Sequence, residues 1–265
     1  MCRALEPFAG HLFTSRSWPL GSARDGDSPG AWFDVATAVG VDAADLARPH
    51  QVHGAHAIVA DPRSRPDADI IVSDDPALAL AIQTADCVPL LLADTRTGAV
   101  AAAHAGWRGL AARVPALAVA TLKDRYGSRP EDLIAAAGPS IGACCNEVGV
   151  DVRERFRAEG FRERQLEHWF VLDPQPTARN PSMAGLPAAR RDGHWYFDGW
   201  AAVRDELAAA GVARERIHIA ELCTASHADF CSYRRDGKPA GRMAAVVRSA
   251  RLRPSPRSPD DRRAR

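Results

Sequence analysis

Cys87 and His104 are the residues of this chain whose types and placement invite chemistry. Cys87 opens one short apolar run, Cys-Val-Pro-Leu-Leu-Leu-Ala-Asp94, and His104 closes the next, Ala99-Val-Ala-Ala-Ala-His. Both runs read as buried strands, because each is short, apolar and bounded by polar or turn residues. Neighbouring strands could present the thiol and the imidazole to one spot. As a pair they suit a nucleophile and its base, the imidazole lowering the thiol pKa. They are also ligand types that zinc accepts, and three protein ligands with an open fourth position distinguish a catalytic zinc from a structural one. An open zinc brings the pKa of its water to near ~7. A structural thiol on a buried strand is the plain alternative, since cysteine is among the most buried residue types.

Spacing does not pick the third ligand. His53 lies 34 positions before Cys87, which lies 17 before His104, and this is no recognised short motif. His50 and His56 are equally available by composition. Arg108 follows the small residues Ala105 and Gly106 at the start of an expected helix, where a guanidinium and free N–H groups favour an anion. A solvated surface Arg fits the same fact. Gly138-Pro-Ser-Ile-Gly142 could cradle a phosphate or sugar, although such turns are usually just turns. The Arg234-Arg235 pair is similarly open.

These residues must be carried by a largely antiparallel or mixed sheet. Strands are expected at His11–Arg16, His50–Ala60, Asp69–Ser73, Leu78–Thr84, Val88–Ala93, Ala99–Ala103, Leu133–Ala137, Arg216–Leu222 and Arg242–Arg248. Helices are expected at Ala31–Val39, stopped by Gly40, and at Trp107–Tyr126, stopped by Gly127, with Pro115 forcing a kink or a late start. Two more are expected at Asp151–Glu159, with Asp151 at or near the N-cap, and at Phe197–Ala210. Asp61–Asp67 and the four-proline stretch Asp173–Asp192 read as loops. The order fits one α+β domain over residues 1–250, followed by an Arg/Pro/Ser-rich tail, 251–265, expected to be disordered.

Composition narrows the function classes. At 265 residues, 46% hydrophobic, 25% charged and net charge +1, the chain gives no electrostatic argument for nucleic acid or membrane. No apolar run approaches the ~20 residues of a bilayer span, and the N-terminus lacks a secretory core. The six cysteines form no Cys-x-x-Cys pair, and adjacent Cys144 and Cys145 are poorly placed for a disulfide. Reduced thiols in the cytoplasm are the expectation, and a monomer is expected.

The motifs say more than their spacing. His50-Gln-Val-His-Gly, Thr84-Ala-Asp-Cys-Val-Pro, His104-Ala-Gly-Trp-Arg-Gly, Gly138-Pro-Ser-Ile-Gly-Ala-Cys-Cys-Asn-Glu-Val-Gly, Cys223-Thr, Ser232-Tyr-Arg-Arg-Asp-Gly and Gly241-Arg-Met-Ala-Ala occur in this order. From His11 to Arg248 they resemble the family once called polyphenol oxidase or laccase-domain proteins, now described as zinc-dependent purine nucleoside phosphorylases with adenosine deaminase activity. The resemblance implies zinc on His53, Cys87 and His104, and so selects His53 over His50 and His56. It implies one α+β domain related to the catalytic domain of cytotoxic necrotizing factor toxins. It also implies adenosine, inosine, guanosine or 5′-methylthioadenosine as substrates, with inorganic phosphate. Two departures touch substrate preference: Asn146 stands where the family has an aromatic, usually Tyr, and Ser22–Gly40 lacks an Asn-rich pattern.

Deamination would be attack of hydroxide on C6 of the purine, with Asp86 as a candidate proton carrier or, equally, a strand-end hydrogen-bond acceptor. The His-x-Glu…Pro-Cys-x-x-Cys signature of cytidine-type deaminases is absent. For phosphorolysis, Arg108 is the leading phosphate binder and Arg16 a weaker one. Two other chemistries remain in play. A copper-dependent phenol oxidase would want two His, a Cys and usually an axial Met, but the chain has only Met1, Met183 and Met243 and no His-x-His cluster. A metal-free cysteine hydrolase or amidase would use Cys87 and His104, with cell-wall peptide precursors as one substrate class.

Overall fold

The computed structural model describes residues 1–22, 25–183 and 191–250. Its larger sheet has six strands in the order Ile217–Ile219, Leu133–Ala137, Val88–Asp94, Val100–Ala105, Ile70–Ser73, Ala57–Val59. The interior pairings are antiparallel and both edge strands run parallel to their neighbours, so the sheet is mixed. A second sheet orders Ala9–Phe13, Met243–Ser249, Ala79–Thr84 and Leu46–Ala47. The architecture is α+β, as expected.

Period-two alternation of side chains explains how the layers stack. Leu91, Ala93, Val100 and Ala102 leave the large sheet on one face and pack on Leu80, Ile82, Ala245 and Val247 of the small one. Leu90, Leu92, Ala101 and Ala103 leave the opposite face and meet Val114, Ala118 and Leu122 of helix Val114–Tyr126 and Val203 and Leu207 of helix Gly199–Ala209. On the outside of the small sheet, Ala79, Ala81, Ala244 and Val246 are covered by Trp32, Val35 and Ala36 of helix Pro29–Val39. The order of layers is helix, sheet, sheet, helix. Strands buried on both faces need no polar alternation, which is why these runs are continuously apolar. Alanines at 101–103 keep the central strand thin enough for both layers.

Several expected elements are corrected. Within His50–Ala60 only Ala57–Val59 is a strand, because the N–H groups of residues 52–54 bond the Asp69 carboxylate rather than a neighbouring strand. The span Trp107–Tyr126 is two helices, Trp107–Ala111 and Val114–Tyr126, broken at Arg113 with φ of 61°. Pro115 falls in the first turn of the second, where its missing N–H costs no helical bond. Asp151 is near the N-cap as expected, in the first turn of helix Val150–Ala158, with Gly149 as the N-cap itself. Phe197 ends a strand, and helix Gly199–Ala209 starts at Asp198, whose carboxylate accepts from the N–H groups of Trp200 and Ala201. Helices Glu163–Trp169 and Tyr233–Asp236 were not anticipated. Part of the loop expected at Asp173–Asp192, residues 184–190, lies outside the described residues, as does the tail 251–265. Among the described residues no helix is long and apolar enough to cross a membrane.

Candidate metal centre and cavity

Register brings the first two donors together. Pro89 pairs with His104 and Val88 with Ala105 across adjacent strands. His104 shares the face of Val100 and Ala102, and Cys87, one step before its strand, shares the face of Pro89 and Leu91. Both therefore point into the gap between the two sheets, at the end where that gap opens. His53 completes the group from its loop: one ligand atom from each of His53, Cys87 and His104 lies within 4.8 Å of the others. The two imidazoles stand edge to face, with centroids 4.8 Å apart.

A residue that sequence reasoning missed, Asp69, holds both histidines. Its fully buried carboxylate accepts from the N–H groups of Val52 (3.2 Å), His53 (3.2 Å) and Gly54 (2.6 Å) and from Nδ1 of His104 (2.7 Å). The N–H of His104 also donates to the Asp69 carbonyl at 2.8 Å. A carboxylate only accepts, so Nδ1 of His104 carries the proton and Nε2 keeps its lone pair for a ligand. These donations keep the Asp69 carboxyl below its ordinary range although burial alone would raise it. They also hold His53 at φ of 58°, a left-handed conformation that L residues rarely adopt. The signal available was an acid at the entrance of the apolar run Ile70-Ile-Val-Ser.

Gly106 was named only as a small neighbour. A Cβ there would lie 2.8 Å from Cys87 Sγ and 3.4 Å from a ring carbon of His53, so only glycine lets the thiol and the loop close up. Burial pushes the Cys87 thiol up, but His104 and then His53 bring it down to about 6. Burial lowers His104, whereas Cys87 and Asp69 lift it to about 9. With His, His and Cys donors, an anchored imidazole and an open side, the group fits a borderline-soft ion such as zinc.

The group borders a cavity of about 1020 Å³, at the upper end of the range for small-molecule sites. Asp86, Arg108, Asn146, Tyr233 and Arg234 line it. Asp86 accepts from the Thr224 hydroxyl and the Arg234 N–H, both at 2.6 Å, and burial raises its carboxyl. Arg108 is exposed and lies over the Trp107 ring at 4.2 Å; among the described residues it has no ion pair. Its helix has five residues, so an anion there would be bound by the guanidinium and not by a helix end. Arg234 is anchored on the Cys145 carbonyl at 2.9 Å.

Other expected residues fall elsewhere. Arg16 does not line the cavity and is paired with Asp236 at 3.2 Å; Arg65, Arg234 and Arg242 are the further cations that do line it. His50 and His56 bond the carboxylate and the carbonyl of Asp67, outside the donor group, although His50 does line the cavity. Gly138 and Gly142 are glycines because the rings of Phe13 and Trp200 press on them, and of that turn only Ile141 lines the cavity.

Fold and site together define an α+β protein with a three-donor candidate metal centre at the mouth of a two-sheet sandwich. Residues 32–250 match the family model described as multi-copper polyphenol oxidoreductase laccase, and the chain belongs to that family. It is 38% identical over 213 residues to a purine nucleoside phosphorylase of Deinococcus radiodurans, covering 80% of this chain and 74% of the relative. It is 34% identical over 220 residues to adenosine deaminase RL5 from an unknown prokaryotic organism, covering 78% and 76%. The crystal structure of hypothetical protein YfiH from Bacillus licheniformis superposes with a TM-score of 0.77 at 25% identity, covering 92% of this chain and 93% of that one.

Proposed function

We propose that the protein is a zinc-dependent enzyme that phosphorolyses purine nucleosides (adenosine, inosine, guanosine or 5′-methylthioadenosine) and deaminates adenosine to inosine. The observation that carries this reading is the convergence on one cavity of His53, Cys87 and His104 with Arg108, which has no ion pair among the described residues. The names of the relatives supply the substrate class. His53, Cys87 and His104 would hold the ion, which when bound supplies Lewis-acid chemistry at the reacting atoms.

The chain's own groups do the rest. Asp69 fixes the tautomer and direction of His104. Arg108 takes inorganic phosphate, whose oxygen bonds to C1′ of the ribose as the bond from C1′ to the purine nitrogen breaks. Asp86, beside Cys87, relays protons to and from the purine. Tyr233, exposed at the cavity edge, offers a ring for the base to stack on. Chromatography of products from adenosine, with and without phosphate, tests the reading. Adenine formed only with phosphate and inosine formed in both support the two activities, and unchanged adenosine in both overturns them.

A second reading rests on the same geometry. The Cys87 thiol beside the His104 imidazole is the pair that a cysteine hydrolase acting without metal would use, on cell-wall peptide precursors for example. Activity that survives chelation and is lost on thiol alkylation would favour it. A phenol-oxidising copper centre is less well served, since among the described residues no methionine lines the cavity as an axial ligand.

A further inference from the structure

Three other cysteines meet behind the cavity wall. Cys144 and Cys145 end the turn after Gly138, Cys223 follows the strand Ile217–Ile219, and a bridge between Ser140 and Cys223 joins the two segments. One sulfur from each lies within 4.8 Å of the others. All three are buried and none is in a disulfide. The backbone N–H of Met183 donates to Cys145 Sγ at 3.3 Å. The Ser226 hydroxyl donates to the Pro181 carbonyl and lies 3.4 Å from Cys145 Sγ and 3.6 Å from Cys144 Sγ, where its oxygen accepts. An N–H aimed at a sulfur is the kind of contact that holds a metal-bound thiolate in place.

We propose that Cys144, Cys145 and Cys223 form a second metal site, separate from the cavity group, that takes a thiophilic d10 ion on three sulfurs. Soft thiolates select monovalent copper and zinc over hard cations. The wall around them is apolar, with Ile141, Ala225, Trp200 and the thioether-bearing Met183. A disulfide would use only two of the sulfurs, and the adjacent pair is badly placed for one. The ion would tie together two segments of the cavity wall. The Cys145 carbonyl holds Arg234, and Thr224, next to Cys223, holds Asp86.

The test uses the full chain and a His53→Ala/His104→Ala form that lacks the cavity donors. Both are reduced, stripped of metal and titrated anaerobically, with zinc against a chromophoric chelator and with monovalent copper against bicinchoninate. The expected result is two equivalents on the unmodified chain and one on the His53→Ala/His104→Ala form, with thiolate-to-metal charge-transfer absorption. Adding Cys223→Ser should abolish the remaining equivalent, and Cys144→Ala should weaken it at least tenfold with an unchanged circular dichroism spectrum. The arm that binds identifies the ion. The proposal is overturned if the His53→Ala/His104→Ala form retains neither ion, or if the cysteine variants bind as before. A disulfide among the three cysteines in protein isolated with its thiols blocked also overturns it.

Discussion

Asp69 and His104 are joined twice, by a 2.7 Å bond from imidazole Nδ1 to the carboxylate and by a 2.8 Å bond from the His104 N–H to the Asp69 carbonyl. The same carboxylate gathers the three N–H groups of the His53 loop. One buried acid therefore orients two of the three donors.

Replacing Asp69 with Asn keeps the size but puts a donor where acceptors are needed. The expected effect is a loss of metal affinity of about 10–100-fold, read by chelator competition. A helix and strand content equal to the parent by circular dichroism separates this from misfolding. Unchanged affinity would show that His104 is oriented by something else.

Gly106→Ala should be as damaging as losing a ligand. The new methyl would stand 2.8 Å from Cys87 Sγ, closer than real Cβ contacts come, and must push the thiol or the His53 loop aside. Zinc content after dialysis should fall well below one per chain at the cavity site. Full occupancy would mean that the neighbours yield.

Arg108→Ala separates the two proposed activities. A lost guanidinium contact to phosphate is worth roughly 1.5–3 kcal/mol, so KM for phosphate in phosphorolysis should rise about 10–100-fold. Deamination, which uses no phosphate, should be nearly unaffected. An unchanged KM for phosphate removes Arg108 from the site.

Glu206 predicts a pH-dependent gain in stability. It is buried on helix Gly199–Ala209, and neither carboxylate oxygen has a hydrogen-bond partner among the described residues. Burial raises its carboxyl well above the ordinary 4.5, and Arg113 offsets only part of this. Below that ordinary value the group is neutral in both folded and unfolded chains. As pH rises toward the raised folded value, the unfolded chain ionises first and stability falls. Glu206→Leu should therefore raise the melting temperature at pH 7–8, by about 1–2 kcal/mol in stability, with a much smaller gain near pH 4. Equal gains at both pH values would mean that packing, not ionisation, is responsible.

The strands were legible because the runs around Cys87 and His104 are too short and too apolar for anything but buried strands. The same alternation that makes them strands puts both side chains on one face. The His50–Ala60 stretch misled because its alternation is real, while its backbone bonds go to Asp69, a partner that no local pattern reveals. Arg113 hid the break between two helices, since nothing in its type announces a positive φ. Pro115, the visible breaker, sits harmlessly in the turn after it. Arg16 looked available by charge, but its pairing with Asp236 joins residues 220 positions apart.

The donors of the cavity group differ in what must move to release them. His104 belongs to a strand paired on both sides and buried on both faces, so it separates from its neighbours only when the sandwich itself opens. Cys87 leads directly into the next strand of the same sheet. His53 alone rides on a loop, with an exposed side chain. Ion exchange should thus be gated by the swing of one arm against two fixed posts, and its rate should follow the stiffness of residues 50–56 and not the global stability of the fold.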